Sequence, residues 1–147
     1  MTADRIVLRD FRNIESADIA LSPGVNVFLG NNAQGKTNLL ESLYLFAAGR
    51  SHRTSHERDM VRFGQPYFEL SLETSAYDRM SSSHNSTRVR TLGFKVWSES
   101  AKKRECKKNG VVVPLTELIG AFRAVLFCPE HLSIVKSGPA GRRSLLD

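Results

Sequence analysis

The feature that most constrains this chain is a glycine-rich loop at residues 30–37. Its residues, Gly-Asn-Asn-Ala-Gln-Gly-Lys-Thr, fit the pattern Gly-x-x-x-x-Gly-Lys-[Ser/Thr], whose glycines let backbone amides fold around an anion. In this pattern the lysine reaches the β- and γ-phosphates and the hydroxyl coordinates Mg²⁺. We therefore predict a site for a nucleoside triphosphate, with Thr37 as the metal ligand, formed by Gly30, Asn31, Asn32, Ala33, Gln34, Gly35, Lys36 and Thr37.

The residues on either side of the loop predict the elements that a phosphate loop needs. Residues 25–29 (Val-Asn-Val-Phe-Leu) read as a largely buried strand. From residue 37 the apolar positions recur at steps of three and four, as on one face of a helix, and Gly49 stands where such a helix ends. That predicted face consists of Leu39, Leu40, Leu43, Tyr44 and Ala47.

The rest of the chain predicts strands and a few short helices. Strands are expected at residues 5–9, 17–21, 66–74, 89–97 and 124–127, with a connection at 10–16, a polar connector at 81–86 and a short helix at 115–122. Alternation puts Phe68, Leu70 and Leu72 on one face of their strand, and Leu92, Phe94 and Val96 on one face of theirs. Asn109-Gly110 between extended runs predicts a hairpin, residues 129–135 a turn or short helix, and residues 137–139 the start of a last helix. We predict an α/β fold of the P-loop NTPase class with an antiparallel β subdomain.

Composition narrows the class of protein only a little. The chain is 41% hydrophobic and 24% charged, which argues against wholesale disorder, and it has no apolar run of membrane-spanning length. The start of the chain lacks signal-peptide architecture, so a cytoplasmic protein with both cysteines, Cys106 and Cys128, reduced is expected. The chain stops within what reads as a helix, which suggests a fragment of a longer protein.

A net charge of +6 and two basic groups raise the question of a nucleic-acid partner. Two readings stay open for the first group, a solvated hairpin edge or contacts with DNA phosphates. No aromatic residues interleave these runs, so the DNA reading predicts sequence-independent, salt-sensitive binding. The first group is Lys102, Lys103, Arg104, Lys107 and Lys108, and the second is His52, Arg53, Arg58 and Arg62.

Several segments beyond the loop carry a resemblance to a known family. Residues 10–13 (Asp-Phe-Arg-Asn) precede the loop, residues 38–44 and 49–54 follow it, and residues 125–132 and 135–143 complete the series. In this succession the chain resembles the bacterial RecF family of DNA replication and repair ATPases, over its whole length but over less than half of a full-length member. That family is related to the SMC and Rad50 type of ABC ATPase.

The resemblance implies the N-terminal lobe of an ABC-type ATPase head that binds ATP and Mg²⁺. It further implies an ATP-dependent homodimer, binding to double-stranded and gapped DNA, and a weak, DNA-stimulated ATPase. Members act with RecO and RecR to load RecA at single-strand gaps and support the SOS response. Arg12 matches an arginine that lies beside the nucleotide in relatives. The implied parts are residues 1–65 with the loop and first helix, 66–114 as an antiparallel meander, and 115–147 as a Q-loop-like segment and the next helix.

The chain departs from the family pattern in ways that bear on catalysis. It has no Leu-Ser-Gly-Gly-Gln signature and no Walker B run ending in Asp-Glu, and in the Q-loop-like segment Glu130 or His131 would have to replace glutamine. We therefore predict that this chain alone does not turn over ATP. Three alternatives stay open: another ATPase of the SMC, Rad50 or RecN kind, a P-loop kinase for a small molecule, and an interaction module that has lost its nucleotide.

Overall fold

The computed structural model describes residues 1–77, 87–99 and 104–127, and the six strands among them form one antiparallel sheet. The strands are β1 (Thr2–Phe11), β2 (Ile14–Ala20), β3 (Tyr67–Tyr77), β4 (Thr87–Trp97), β5 (Arg104–Lys108) and β6 (Val111–Val113). They lie side by side in the order β2-β1-β3-β4-β5-β6, and every neighbouring pair is antiparallel. Helix α1 (Lys36–Ala48), a short 3₁₀ helix (Glu57–Met60) and the single turn of α2 (Leu115–Leu118) complete the described elements.

One face of the sheet carries the hydrophobic core. The predicted inward residues Phe68, Leu70, Leu72, Leu92, Phe94 and Val96 are all buried. The predicted alternation in the two longest strands is therefore confirmed. Each such side chain contributes about 1.5–3 kcal/mol when it leaves water. Phe68 joins the neighbouring aromatic rings, since its ring lies edge-on to Phe11 with centroids 5.1 Å apart and is stacked on Phe94 at 6.3 Å.

Helix α1 packs on the core face, but with only part of the side that its apolar residues predicted, where Leu39 is buried. Leu40, placed on the buried face, is 44% exposed, whereas Phe46 is fully buried. Two polar residues, Glu41 and Ser42, are also fully buried. Hydrophobicity alone could not predict that these two polar side chains are buried, because they have hydrogen-bond partners in the core. Ser42 Oγ donates to the Leu39 carbonyl at 2.7 Å, and Glu41 accepts from arginines. The predicted end of the helix is confirmed, since the Gly49 N–H donates to Leu45 O at 2.8 Å.

The predicted connection at residues 10–16 is wrong, because β1 and β2 meet in a tight two-residue turn. Phe11 pairs with Ile14 across that turn. Arg12 adopts a left-handed backbone conformation with φ 56°, which is uncommon for a residue other than glycine. The turn is held in place by the Arg12 N–H, which donates to Met60 O at 2.8 Å.

Two of the predicted strands, at residues 25–29 and 124–127, are not formed. Val25, Val27 and Leu29 are 87%, 71% and 89% exposed, and Val125 and Phe127 are also exposed. A strand needs a neighbour for its backbone hydrogen bonds, and none of the described strands pairs with either segment. The chain before Val25 is instead closed locally, where the Asn26 side chain exchanges two 2.9 Å hydrogen bonds with the backbone of Ser22.

The hairpin predicted at Asn109-Gly110 is confirmed. These two residues have φ 53° and 81°, as a type I′ turn requires, and they join β5 to β6. The helix predicted over residues 115–122 is shorter and ends at Leu118, because Gly120 turns the chain with φ 86° and Ile119 then bridges to Phe122. The segments predicted at residues 81–86, 129–135 and 137–139 lie outside the described residues.

The division into three parts stays a prediction, although β1 of the first part pairs directly with β3 of the second. Among the described residues, no helix is both long enough and apolar enough to cross a membrane.

Candidate nucleotide-binding site

The glycine-rich loop leads directly into the first turn of helix α1. Gly35 caps the helix in a left-handed conformation with φ 93°, and Lys36 is the first helical residue. The Leu39 N–H donates to Gly35 O at 2.9 Å, which is the first bond of the helical ladder. The N–H groups before Leu39 have no carbonyl within the helix, so the end of the helix offers donors and a positive dipole to an anion.

Lys36 holds the loop closed around its own ammonium group. Its Nζ donates to Gly30 O and to Asn31 O, both at 2.7 Å. The ammonium group therefore lies at the centre of the loop, with the first two loop carbonyls turned toward it. A lysine in this position is ready to transfer one or more of its hydrogen bonds to phosphate oxygens.

A cavity of about 380 Å³ opens beside the loop, within the range of about 300–1,000 Å³ that is common for ligand sites. Two of the lining residues, Lys36 and Arg53, are cationic, and none is acidic. The charge of the cavity is therefore suited to an anion. The lining residues are Asn13, Asn32, Ala33, Gly35, Lys36, Thr37, Asn38 and Arg53.

The residues present fit a triphosphate with a divalent cation. A side chain at Gly35 would be crowded, because a β-carbon there would lie 3.1 Å from Asn13 Oδ1 and 3.1 Å from Ile14 Cγ1. Because glycine has no side chain and Gly35 has φ 93°, the backbone at this position can approach a phosphate closely. Thr37 lines the same cavity and would hold the metal ion through its hydroxyl group.

The structure brings together most of the predicted loop residues and adds three others. Gly30, Asn31 and Gln34 belong to the loop but do not line the cavity. The prediction did not include Asn13 or Asn38 and assigned Arg53 to DNA. Asn38 could have been found from its place directly after Thr37, whereas Asn13 comes near the loop only through the turn between β1 and β2.

Arg12, predicted to lie beside the nucleotide, binds a buried carboxylate. Its Nε and Nη2 donate to the two oxygens of Glu41 at 3.0 and 2.6 Å, and its Nη1 donates to Asp59 O at 2.8 Å. Arg12 does not line the cavity. Its contact with a nucleotide stays a prediction.

Glu41 connects Arg12 to the rim of the cavity. Besides Arg12, it accepts hydrogen bonds from the Ser51 hydroxyl and, at 3.4 Å, from Arg53 Nη1. Burial by itself would raise the pKa of this carboxyl. The hydrogen bonds from Arg12 and Ser51 and the charges of Arg12 and Arg53 outweigh burial and hold the pKa of Glu41 below its ordinary value. Glu41 is therefore a buried anion that fixes two arginines.

The residues predicted for DNA contact are already engaged in the fold to differing degrees. Arg53 lies at the cavity, Arg104 pairs with Glu57 at 2.6 Å, and Lys107 pairs with Glu105 at 3.2 Å. Lys108 ends strand β5 and is half-buried, and Lys102 and Lys103 lie outside the described residues. Their roles toward DNA stay predictions.

Phe11, Cys106 and Trp97 lie outside the cavity and have places in the fold. Phe11 is fully buried under the sheet, and Cys106 is a buried free thiol. Trp97 faces the Lys95 ammonium at 5.4 Å on the open side of the sheet. Over residues 1–77, 87–99 and 104–127, no three His, Cys, Asp or Glu residues stand close enough together to hold a metal ion.

Comparison with known proteins agrees with this geometry. A family model described as an AAA domain matches residues 5–116. The chain is 39% identical over 148 residues to the DNA replication and repair protein RecF of Lacticaseibacillus casei, covering 100% of this chain and 37% of that protein. It is 35% identical over 150 residues to RecF of Alkaliphilus oremlandii, covering 100% of this chain and 38% of that protein. The chain thus spans little more than a third of these relatives.

Solved structures show the same relationship in three dimensions. The recombination mediator protein RecF with ATP, from the RecFOR pathway, superposes with a TM-score of 0.80 at 32% identity, over 99% of this chain and 38% of that one. A structure from work on ATP-driven dimerization of SMC ATPases has a TM-score of 0.73 at 20% identity, over 99% of this chain and 97% of that one, which shows a shared fold. The predicted P-loop ATPase head fold is therefore confirmed, as is the resemblance to RecF. This chain belongs to the AAA domain family, and along its whole length it is similar to the N-terminal portion of RecF.

Proposed function

We propose that this chain is the ATP-binding part of a RecF-type protein of recombinational DNA repair. In the proposed role the whole protein binds ATP with Mg²⁺ and double-stranded or gapped DNA, and it acts with RecO and RecR to promote RecA loading, replication and SOS induction. The proposal concerns the whole protein, because the chain spans little more than a third of the relatives.

The single observation that carries the proposal is the cationic cavity at the start of helix α1. Lys36 Nζ stands 2.7 Å from two loop carbonyls, Thr37 lines the same space, and none of the described residues that line it is a carboxylate. When bound, ATP with Mg²⁺ would supply the phosphoryl group, while Lys36 and the helix amides neutralise the phosphate charge. The preference for ATP is supported by relatives that are solved with ATP.

The test is an equilibrium titration with fluorescent ATP and GTP analogues in the presence of Mg²⁺. Wild type is expected to bind the ATP analogue more tightly than the GTP analogue, and Lys36→Ala to lose binding of both. A matched control is Lys95→Ala, which removes a lysine that lies over the Tyr67 ring, 3.7 Å from its centroid, and does not line the cavity. Equal binding by wild type and Lys36→Ala, with both proteins folded, would refute the proposed site.

We also propose that hydrolysis and dimerisation depend on sequence beyond these residues. The loop supplies a phosphate cradle and one metal ligand, whereas phosphoryl transfer also needs a positioned water and further charge stabilisation. Steady ATP turnover by the purified 147-residue chain that is lost in Lys36→Ala would contradict this.

The exposed segments at residues 25–29 and 124–127 also support a dependence on sequence beyond these residues. Val25, Val27 and Leu29, which directly precede the loop in sequence, all leave apolar side chains in water. We propose that the remaining length of a RecF-type protein covers them and pairs with their backbone. Hydrogen exchange at residues 25–29 is then expected to slow strongly in a chain of full RecF length, and unchanged exchange would refute the pairing.

For DNA, we propose contacts through phosphates and not through bases, since the candidates Arg53, Arg104, Lys107 and Lys108 are dispersed and partly ion-paired. Affinity for duplex DNA should fall steeply as salt rises. An affinity that stays flat between low and moderate salt would exclude this mode of binding.

A further inference from the structure

The end of β1 and the turn that follows it, residues 10–13, have an unusual backbone that the proposed function leaves unexplained. Asp10 and Arg12 are both left-handed, with φ 50° and 56°. Such conformations are costly for residues with side chains and persist where the surroundings hold them in place. Here the Arg12 N–H donates to Met60 O, and the Arg62 N–H donates to Asp10 O, both at 2.8 Å. These two hydrogen bonds therefore hold the turn in one conformation beside the phosphate loop.

The turn reaches the phosphate loop through the side chain of Asn13. Its Nδ2 donates to Ala33 O in the middle of the loop at 2.8 Å. Its Oδ1 accepts a hydrogen bond from Asn38 Nδ2, on the first turn of helix α1, at 2.7 Å. One carboxamide thus joins three pieces of the chain: the β1–β2 turn, the loop and the helix that follows the loop.

The orientation of both amides is determined by Arg53. Its guanidinium group has only donors, and Nη1 lies 2.7 Å from Asn38 Oδ1. The oxygen of Asn38 must therefore face Arg53, which turns the Asn38 NH₂ group toward the oxygen of Asn13. The NH₂ group of Asn13 is then left to face an acceptor, and that acceptor is Ala33 O.

We propose that Asn13 is a positioning residue for the phosphate loop, which holds the Ala33 peptide in the conformation that receives a triphosphate. The inference rests on the proposed ATP site and names a residue that fixes its shape. Arg53 acts behind Asn13 by way of Asn38, and the buried Glu41 restrains Arg53.

The effect of Asn13 on the loop follows from peptide geometry. Ala33 is left-handed, with φ 64°, so its conformation needs an external restraint. Because a trans peptide directs its C=O and N–H to opposite sides, a hydrogen bond to Ala33 O also fixes the direction of the Gln34 N–H. The space is matched to this side chain, since Asn13 Oδ1 lies 3.1 Å from where a β-carbon of Gly35 would be. Aspartate would lack the donor, and serine would be too short to bridge both partners.

The test compares wild type with Asn13→Ala by two measurements. The first is the NMR order parameter of the Ala33 and Gly35 amides without nucleotide, expected to fall from about 0.85 in wild type to below about 0.6 in the variant. The second is affinity for the ATP analogue, expected to fall about tenfold, the loss that one hydrogen bond of about 1.4 kcal/mol would cause. Unchanged order parameters together with unchanged affinity would overturn the proposal.

A matched control is Asn109→Ala in the β5–β6 turn. The side chain of Asn109 also fixes a hairpin, since its Oδ1 accepts the Thr91 N–H at 3.0 Å, but it does not line the cavity. It should lower thermal stability and leave the order parameters of the loop and the affinity for ATP unchanged. Equal loss of affinity in both variants would mean that Asn13 acts only through overall stability, and the proposal would fail.

A second variant tests the proposal without altering the turn. Asn38→Ala breaks the link from the helix side and should reproduce the loosening of the loop, and Asn13→Ala added to it should cost little more. If the losses of ATP affinity in the two single variants add fully in the double variant, Asn13 and Asn38 do not act through one chain of contacts and the proposal is refuted. If wild type binds no nucleotide, the proposed function fails, whereas the order parameters still decide whether Asn13 restrains the loop.

Discussion

Replacing Glu41 by glutamine tests whether the buried carboxylate behind the phosphate loop stabilises the fold. The substitution keeps the size and one acceptor oxygen of the side chain and removes its charge. It therefore weakens the two hydrogen bonds that Arg12 donates to this side chain, which measure 2.6 and 3.0 Å in the wild type. Arg53 loses its counter-charge as well, at 3.4 Å.

The magnitude follows from the exposure of the three side chains. Glu41 is fully buried and Arg12 is 17% exposed, so their attraction is weakly screened, whereas Arg53 is 44% exposed and contributes little. Breaking a buried pair typically costs about 3–5 kcal/mol, and the retained acceptor lowers this to about 2–3 kcal/mol. At about 3 °C per kcal/mol for a chain of this size, Tm should fall by about 6–9 °C.

The assay is urea and thermal denaturation of wild type, Glu41→Gln and a control, Glu73→Gln. Glu73 pairs with Arg5 at 3.4 Å, and both side chains are well exposed, so the control should change stability by less than about 0.5 kcal/mol. A loss in Glu41→Gln no larger than in the control would show that the buried pair does not stabilise the fold.

The pH dependence gives a second check with a definite sign. Because the pKa of folded Glu41 lies below its ordinary value, its contribution is fully present above the unfolded pKa of about 4.3 and disappears as pH falls through the folded pKa. The stability difference between wild type and Glu41→Gln should be constant at neutral pH and shrink in acid. A difference that grows on acidification would refute the assignment of Glu41 as an anion.

Three further perturbations follow from packing and burial. Gly35→Ala should lower the free energy of unfolding in urea titrations by more than Gly24→Ala. Both glycines are left-handed, but a β-carbon meets neighbours, at 3.1 Å, only at Gly35, and equal losses of stability would refute this close approach. Phe94→Ala should cost about 3–5 kcal/mol and exposed Val112→Ala less than about 0.5 kcal/mol, and similar urea midpoints would contradict the core packing. The Cys106 thiol, whose pKa is raised by burial, should resist iodoacetamide until urea unfolds the chain; peptide mapping that finds rapid labelling of the native protein would contradict this.

Sequence reasoning succeeded where local chemistry decides the outcome. The Asn109-Gly110 turn has the two positive φ angles that its residue types favour, and the alternation around Phe68 and Phe94 places both rings in the core. The phosphate loop likewise followed from its residue spacing, since its glycines, lysine and threonine each have a local role. The cationic cavity beside it agrees with that prediction.

Sequence reasoning failed where the structure of a segment depends on a partner that is distant in sequence. Residues 25–29 have the composition of a buried strand, but a strand forms only beside another one, and periodicity says nothing about that neighbour. The buried face of helix α1 was predicted only in part, because Glu41 is buried through its contact with Arg12, 29 positions earlier in the chain. Asn13 was missed for the same reason, since its contact with Ala33 is made by the fold and by no motif.

The place of β1 in the sheet has a consequence for the order of folding. On one side Arg9 lies opposite Ser16, seven positions later, whereas on the other side Leu8 lies opposite Leu70, 62 positions later. Closing the longer connection costs about 2 kcal/mol more in chain entropy, so the β1–β2 hairpin should form well before β1 joins β3. The phosphate loop and helix α1 lie within that long connection. We therefore expect the site to be assembled after the β1–β2 hairpin, and a bound nucleotide to slow unfolding by stabilising contacts that form late.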